Sequence, residues 1–382
     1  MKIAIDARAL TGRFTGDRTY WKSLIKSLLE IDTENEYLLL TRLPLPEEDT
    51  PRAANVTLHA VRAKNDRLWT LFTLPRLLKE TKADLVHVQY TAPLWTPCPL
   101  VTTVHDISFR LHPEWFPAKD RLLLNLTVPA TMRRASAIIT DSESSRRDLL
   151  RVYALPETKL SAIMLGAPNE MQRKIAGVTQ EIAQRFTKEK YGVTNSYFLA
   201  VGVMQPRKNL PFLVKAFAEA KVRGLKSDLV LTGKMGWGSG QEDLRAILKA
   251  SGVPEEALKF TGYVPDEDLP LLYRGSEAFL YPSLYEGFGL PPLEAMTCGT
   301  PVIASSAPAM PEVCGDAAHL ISPLDETGWT EALLRIEGNT ALREDLMVAG
   351  HKRVAAFTWR KTAAQTLEIY RQTSRNTIEK RG

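Results

Sequence analysis

Short apolar runs of four to six residues alternate with amphipathic stretches almost from end to end of this 382-residue chain. A strand that is apolar on both faces must be covered on both, and the helix that follows it covers one of them. The alternation therefore predicts a mostly parallel sheet with helices on both sides. Strands are expected over 2–7, 37–40, 84–89, 100–105 and 137–141, with helices over 17–29 and 142–152. The pattern pauses at Leu165-Gly166-Ala167-Pro168-Asn169, which is turn chemistry. It resumes with strands over 197–201, 228–232, 257–261, 278–281, 301–304 and 318–321, and helices over 210–221, 242–250, 266–273 and 290–297. Residues 326–357 and 361–379 read as helical with no strand after them.

The expected fold class is thus α/β, with two tandem doubly wound Rossmann-like domains. At roughly 100–200 residues per domain the length agrees. The boundary falls at about residues 166–180, giving domains over 1–170 and 171–357. Open α/β sheets bind ligands beyond the carboxyl ends of their strands, so two such domains facing each other would make a cleft.

A composition of 44% hydrophobic and 24% charged residues excludes a disordered or fibrous chain. Cys98, Cys298 and Cys314 form no Cys-x-x-Cys pair, which argues against a zinc ribbon and for a reducing, cytoplasmic setting. The first apolar run is broken at Asp6, so no signal peptide is expected, and no 18-residue apolar stretch predicts a membrane span. The net charge of +5 does not point to nucleic acid; it suits nucleotide phosphates or anionic lipid head groups.

Four strings follow strands. The richest is Tyr285-Glu286-Gly287-Phe288-Gly289-Leu290-Pro291-Pro292-Leu293-Glu294, at a strand-to-helix junction. Gly287 and Gly289 permit close backbone approach, Pro291 and Pro292 suit a first helical turn, and the amides of residues 287–290 would point at an anion. Glu286 and Glu294 flank that position, and a carboxylate can accept from both hydroxyls of a vicinal diol. The second string is Gln205-Pro206-Arg207-Lys208-Asn209. Two cations at a helix start are unfavourable unless an anion such as a diphosphate neutralises them. The third, Val104-His105-Asp106, suits an active-site histidine at a strand end. The fourth, Thr11-Gly12-Arg13-Phe14-Thr15-Gly16-Asp17-Arg18, would cradle a phosphate or touch a second substrate. It does not spell G-x-G-x-x-G, which disfavours a dinucleotide-binding dehydrogenase, and no G-x4-G-K-[ST] occurs. Gly233-Lys234 and Gly262-Tyr263 end two further strands, with Tyr263 placed to stack near a base or to serve as a plain turn aromatic.

This constellation resembles the retaining glycosyltransferases of family 4, the group 1 enzymes of GT-B fold, over essentially the whole chain. The resemblance rests on Glu286-x7-Glu294 with Gly287-Phe288-Gly289, on Gln205-Pro206-Arg207-Lys208-Asn209, Leu231-Thr232-Gly233, Thr261-Gly262-Tyr263-Val264 and Val104-His105-Asp106, and on the ending Phe357-Thr358-Trp359-Arg360-Lys361-Thr362. It implies that Arg207 and Lys208 hold a donor diphosphate and that Glu294 binds the ribose. Glu286 and the amides of residues 287–290 would surround the donor sugar and diphosphate, and His105 would contact the transferred sugar. Gly233, Tyr263, Phe288 and Leu290 join the expected donor site, and Gly12, Gly16 and Asp106 the expected acceptor site in the first domain. Relatives often carry a compact Gly-x-Gly loop after the first strand; here Gly12 and Gly16 stand apart. Residues 358–382 would form a helix packing back on the first domain. No metal or other cofactor is implied, and no Asp-x-Asp motif is present.

The expected activity is transfer of a hexose, with a mannosyltransferase flavour, from a nucleotide diphosphate sugar to a glycan or lipid-linked glycan in cell-surface polysaccharide synthesis. The alternatives are a degenerate nucleotide-binding module and a nucleotide-sugar epimerase. Residues 67–74 and 119–134 combine bulky apolar residues with cations. The preferred reading is core-packing helices with solvated arginines. The other is a face lying on an anionic bilayer, which would place the first domain in peripheral contact with the inner face of the membrane.

Overall fold

The computed structural model describes residues 1–12 and 16–379. Arg13, Phe14 and Thr15, in the loop expected to meet a phosphate, lie outside the described residues, as do residues 380–382 at the end of the expected return helix. The chain divides into two compact units, Met1–Gly166 with Thr358–Gly382, and Ala167–Phe357.

In the first unit, β1 (Lys2–Asp6), β2 (Glu36–Thr41), β3 (Val56–Ala60), β4 (Leu85–Gln89), β5 (Leu100–Thr103), β6 (Ala137–Thr140) and β7 (Leu160–Ala162) form one sheet in the order β3-β2-β1-β4-β5-β6-β7. Every pairing is parallel. Ile3, Ala4 and Ile5 are buried on both faces, as a covered parallel strand requires. The helix Gly16–Ile31 buries Tyr20, Trp21, Leu24, Ile25 and Leu28, a stripe at helical spacing, and exposes Lys22 and Lys26. The strand order reverses between β1 and β4.

The second unit repeats the plan. β8 (Tyr197–Val201), β9 (Asp228–Thr232), β10 (Leu258–Gly262), β11 (Ala278–Tyr281), β12 (Val302–Ser305) and β13 (His319–Ile321) pair in the order β10-β9-β8-β11-β12-β13. These pairings are parallel too, and the order reverses between β8 and β11. Its core joins Phe198, Leu213, Phe217, Leu231, Leu280 and Trp329. The expected α/β class with two Rossmann-like sheets is what the chain forms.

Four features depart from expectation. β3 and β7 were not expected; each is an edge strand with few buried residues, so neither carries a strong apolar signal. The strand expected over 100–105 ends at Thr103, which frees His105 from the ladder. The helical run over 326–357 is two helices, Glu326–Glu337 and Thr340–Val354, interrupted at Gly338-Asn339, where the Asn339 side chain accepts from the Leu342 amide at 2.9 Å. The stretches preferred as core-packing are only partly so. Trp69, Leu74, Val128 and Met132 are buried, but Phe72, Leu122 and Leu126 are each more than 60% exposed, and so, outside these stretches, is Leu94, with Trp95 at 60%. In the helix Ala118–Arg134 the fully buried residues lie in the second half, and Leu124 of the first half is partly buried against the core.

The helix Trp359–Glu379 packs on the helix Gly16–Ile31 in the first unit. A Cβ on Gly166 would lie 2.2 Å from the Trp359 nitrogen, so only glycine admits this approach. Tyr370, fully buried, meets His87 Nδ1 at 2.7 Å. None of the described helices is long and apolar enough to cross a membrane.

Candidate active site

The second unit gathers its strings at the strand-order reversal, where adjacent crossovers leave on opposite faces and open a crevice. The chain after β8 makes one helical turn over Pro206–Lys208. Asn209 then takes φ 56°, a left-handed conformation that asparagine tolerates, and opens the helix Leu210–Val222. Its side-chain amide donates to the Pro282 carbonyl at 3.3 Å and the Pro323 carbonyl at 2.9 Å. The Leu284 amide donates to the Arg207 carbonyl at 2.8 Å. The loops after β8 and β11 are therefore stitched together by backbone and by Asn209.

That stitching brings Arg207, Lys208 and Glu286 to one point. Arg207 Nη1 donates to Glu286 Oε2 at 3.1 Å, and Lys208 Nζ donates to Oε1 at 2.7 Å and to the Tyr281 hydroxyl at 2.9 Å. Glu286 is 6% exposed. Burial opposes its charge, but Arg207 and Lys208 outweigh burial and hold the carboxyl down to about 2. Two cations against one carboxylate leave a net positive charge at the strand ends. A small cavity beside it is lined by Gly202, Lys208, Thr232 and Tyr281 among others.

Gly289, at φ 113°, precedes the helix Leu290–Thr297, and a Cβ there would lie 2.3 Å from Met310 Cε. Gly287 and Gly289 are buried in this turn, and Leu290 is the first helical residue. The Phe288 ring is buried against Phe357 at 6.0 Å between centroids, so its side chain packs and only its backbone faces the loop. Glu294, one turn into the helix, accepts from the Tyr273 hydroxyl at 2.9 Å. Burial pushes Glu294 up to about 7, with Asp266 adding to the effect while Tyr273 and Lys208 oppose it. Gly233 sits against the Gly202 carbonyl, 2.0 Å from where a Cβ would be. Tyr263 is partly exposed with Lys234 Nζ 4.9 Å above its ring, an arrangement that holds the aromatic at the strand edge.

The first unit places His105 two residues past β5. Its Nδ1 lies 2.6 Å from Asp141 Oδ2, and its Nε2 lies 2.8 Å from Gln89 Nε2 and 3.7 Å from Asp17 Oδ1. Asp106, next to His105 in the chain and expected on the acceptor side, is not its main partner. It accepts from the Ser108 amide at 2.8 Å, in a turn just ahead of the short helix Ser108–Leu111. Gly12 closes a 3-10 turn through its amide to the Ala9 carbonyl at 3.1 Å, and Gly16 opens the helix Gly16–Ile31.

Asp141, Gln89 and Tyr273 escaped the sequence reading, and Asn209, quoted there in its string, was given no role. For Asp141 the missing signal was register. β5 pairs with β6 as Val101↔Ala137 and Thr103↔Ile139, and the same offset continued past the strand ends sets His105 beside Asp141. Among the described residues, no group of three His, Cys, Asp or Glu side chains is placed to hold a metal.

Residues 19–168 match Glycosyltransferase Family 4, and residues 182–353 match Glycosyl transferases group 1. The chain is 33% identical over 273 residues to the O-antigen chain mannosyltransferase B of Escherichia coli, covering 71% of this chain and 70% of that one. It is 30% identical over 248 residues to the serotype-specific mannosyltransferase WbdA of Escherichia coli, covering 63% of this chain and 29% of that protein, so it spans less than a third of WbdA. In fold it resembles Anabaena HepE, solved in complex with UDP and glucose, with a TM-score of 0.73 at 19% identity, covering 97% of this chain and all of that one. The chain therefore belongs to the group 1, family 4 glycosyltransferases and has their GT-B fold.

Proposed function

We propose that this glycosyltransferase moves a hexose, mannose foremost, from a nucleoside diphosphate sugar to a hydroxyl of a glycan or lipid-linked glycan, with retention at the anomeric carbon. The observation that carries this reading is the convergence of Arg207 and Lys208 on Glu286 beside the amino end of the helix Leu290–Thr297. As the glycosidic bond breaks, the bridging oxygen of the departing diphosphate gains a negative charge, which such preorganised cations and amides stabilise. Arg207, Lys208 and the amides of residues 287–290 take the diphosphate, Glu294 the ribose hydroxyls, and Glu286 the donor sugar. Gly233 and Tyr263 border the nucleotide, and His105 contacts the transferred sugar. Gly12, Gly16 and Asp106 are assigned to the acceptor side. The chemistry calls for no metal or other cofactor: the cations carry the charge, and the leaving phosphate helps take the acceptor proton on the face it leaves. Mannose is favoured because two relatives are named as mannosyltransferases.

The test is release of GDP from GDP-mannose with mannoside acceptors, followed by NMR of the product's anomeric proton. Acceptor-dependent turnover with the donor's configuration supports the reading. An inverted product contradicts retention, and GDP binding without turnover across acceptors favours a degenerate module.

The exposed Phe72, Leu94, Trp95, Leu122 and Leu126 lie on segments of the first unit that also carry Arg67, Lys119, Arg121, Arg133 and Arg134. These segments touch: Arg8 bonds Thr70 and the Thr91 carbonyl, Thr91 bonds Thr127 at 3.0 Å, and Arg134 donates to the Leu94 carbonyl at 2.6 Å. Apolar bulk with a cationic surround suits the surface of an anionic bilayer, where a lipid-linked acceptor is presented. Sedimentation with phosphatidylglycerol vesicles, but not with phosphatidylcholine vesicles, is expected. Equal retention by both, or by neither, contradicts the assignment.

A further inference from the structure

The surroundings of His105 are more constrained than contact with a sugar hydroxyl requires. An ionised carboxylate only accepts hydrogen bonds. With Asp141 Oδ2 at 2.6 Å, Nδ1 of His105 therefore carries a proton. The ring is walled by Tyr20 at 4.9 Å and Tyr90 at 5.5 Å, both edge to face. The Ser145 hydroxyl donates to the His105 carbonyl at 3.0 Å, which fixes the backbone as well. Asp141 is itself buried. It is 2% exposed, it follows β6, and it precedes Ser142, whose side chain caps the helix Glu143–Tyr153.

We propose that Asp141 is a positioning residue for the transfer reaction: it fixes the Nδ1–H form and the ring direction of His105, so that Nε2 alone is offered to a substrate hydroxyl. This inference rests on the proposed reaction for its consequence and on the geometry of the first unit for its content.

The same carboxylate governs the charge. The groups facing the imidazole are Asp141 beyond β6, Asp17 in the helix Gly16–Ile31, Asp106 next in the chain, and His87 on β4, with the phenols of Tyr20 and Tyr90. Burial works against protonation of His105, but Asp141, followed by Asp17 and Asp106, raises it to about 9. His87 is held down to about 3, chiefly by burial, and stays neutral. At neutral pH His105 is thus an imidazolium whose Nε2–H donates, which requires the Gln89 amide, whose Nε2 stands 2.8 Å away, to present its oxygen instead. Asparagine at 141 removes the charge and frees the ring nitrogens to exchange roles, as occurs when an aspartate that orients a histidine is lost.

The experiment is nitrogen-15 NMR of the histidines in the intact protein, titrated from acid to alkali, alongside turnover of the nucleotide sugar by the parent, Asp141→Asn, Asp141→Glu and His105→Ala. In the parent, Nδ1 is expected to stay protonated throughout, with the His105 midpoint at about 9. Asp141→Asn should bring the midpoint to about 6.5 or below and lower kcat at neutral pH by ~100-fold, with the donor KM little changed. Asp141→Glu should restore the midpoint and only part of kcat. A parent His105 found as the Nε2–H tautomer overturns the proposal, and this reading stands even if Asp141→Asn does not fold. So does an Asp141→Asn enzyme whose midpoint and pH–rate profile match the parent's while His105→Ala is inactive; that result leaves the proposed function intact. No turnover by the parent with any nucleotide sugar sinks the proposed function instead, and leaves the NMR result to judge the Asp141 contact alone.

Discussion

In the second unit two cations converge on one buried carboxylate, whereas in the first unit one imidazole faces carboxylates on three segments. Both sites stand past the carboxyl ends of parallel strands near a reversal of strand order. The surplus of positive charge around Glu286 leaves room for an anion. The surplus of negative charge around His105 holds a proton. One fold plan, used twice, thus yields a site suited to a diphosphate and a site suited to a fixed hydrogen-bond donor.

The largest expected effect breaks the first half of that contrast. Replacing both Arg207 and Lys208 by alanine should lower turnover by ~1,000-fold or more, since single preorganised donors are worth ~100–1,000-fold. It should also cost about 3–5 kcal/mol in a denaturant titration, because Glu286 stays buried without its partners. The pH dependence follows from the same pairs. Glu286 is ordinarily at 4.5 and is held at about 2 in the folded chain. Its stabilising contribution is present above the ordinary value and is lost as pH falls from there through about 2. The double variant should lack this acid-side loss.

This contrast also explains what was legible in the sequence. Most of the second unit's candidate residues lie in two contiguous strings, Gln205–Asn209 and Glu286–Glu294 in chain order, each at a strand-to-helix junction, so the strings themselves marked them, while Gly233 and Tyr263 stand just past the ends of two further strands. The first unit's partners for His105 stand 16 and 36 residues away and meet only through the β4–β5–β6 register, which composition and periodicity do not encode. Buried strands such as β8, β9 and β11 were read to the residue because apolar runs report double burial. The edge strands β3 and β7 were not, because half-exposed residues give no such run. The apolar stretches near residues 72 and 122 misled for the converse reason: side chains suited to a core are left outside it.

A smaller effect should separate the two units functionally. His105→Ala is expected to reduce turnover by ~100-fold while leaving calorimetric nucleotide affinity within about twofold of the parent. An equal loss of affinity would merge the two sites into one. A milder effect sharpens the donor side. Glu294 is pushed up to about 7 by burial; in the proposed donor site only its ionised form would accept from both ribose hydroxyls. Nucleotide affinity should therefore rise by about tenfold from pH 6 to pH 8, as the binding-competent fraction grows. Glu294→Gln should abolish that step beyond the nucleotide's own titration. The smallest effect concerns the surface. Leu126→Ser should change stability by no more than ~0.5 kcal/mol, against ~2–5 kcal/mol for Leu231→Ala in the core, with both read from urea midpoints.

The central claim is that the second unit's cation pair and Glu294 form a nucleoside diphosphate site. Isothermal titration of GDP, UDP and ADP into the parent, Lys208→Ala and Glu294→Ala proteins addresses it directly. One nucleotide should bind the parent, with affinity falling by at least tenfold in each variant. Binding that survives both substitutions unchanged, or no binding to the folded parent, would contradict the claim.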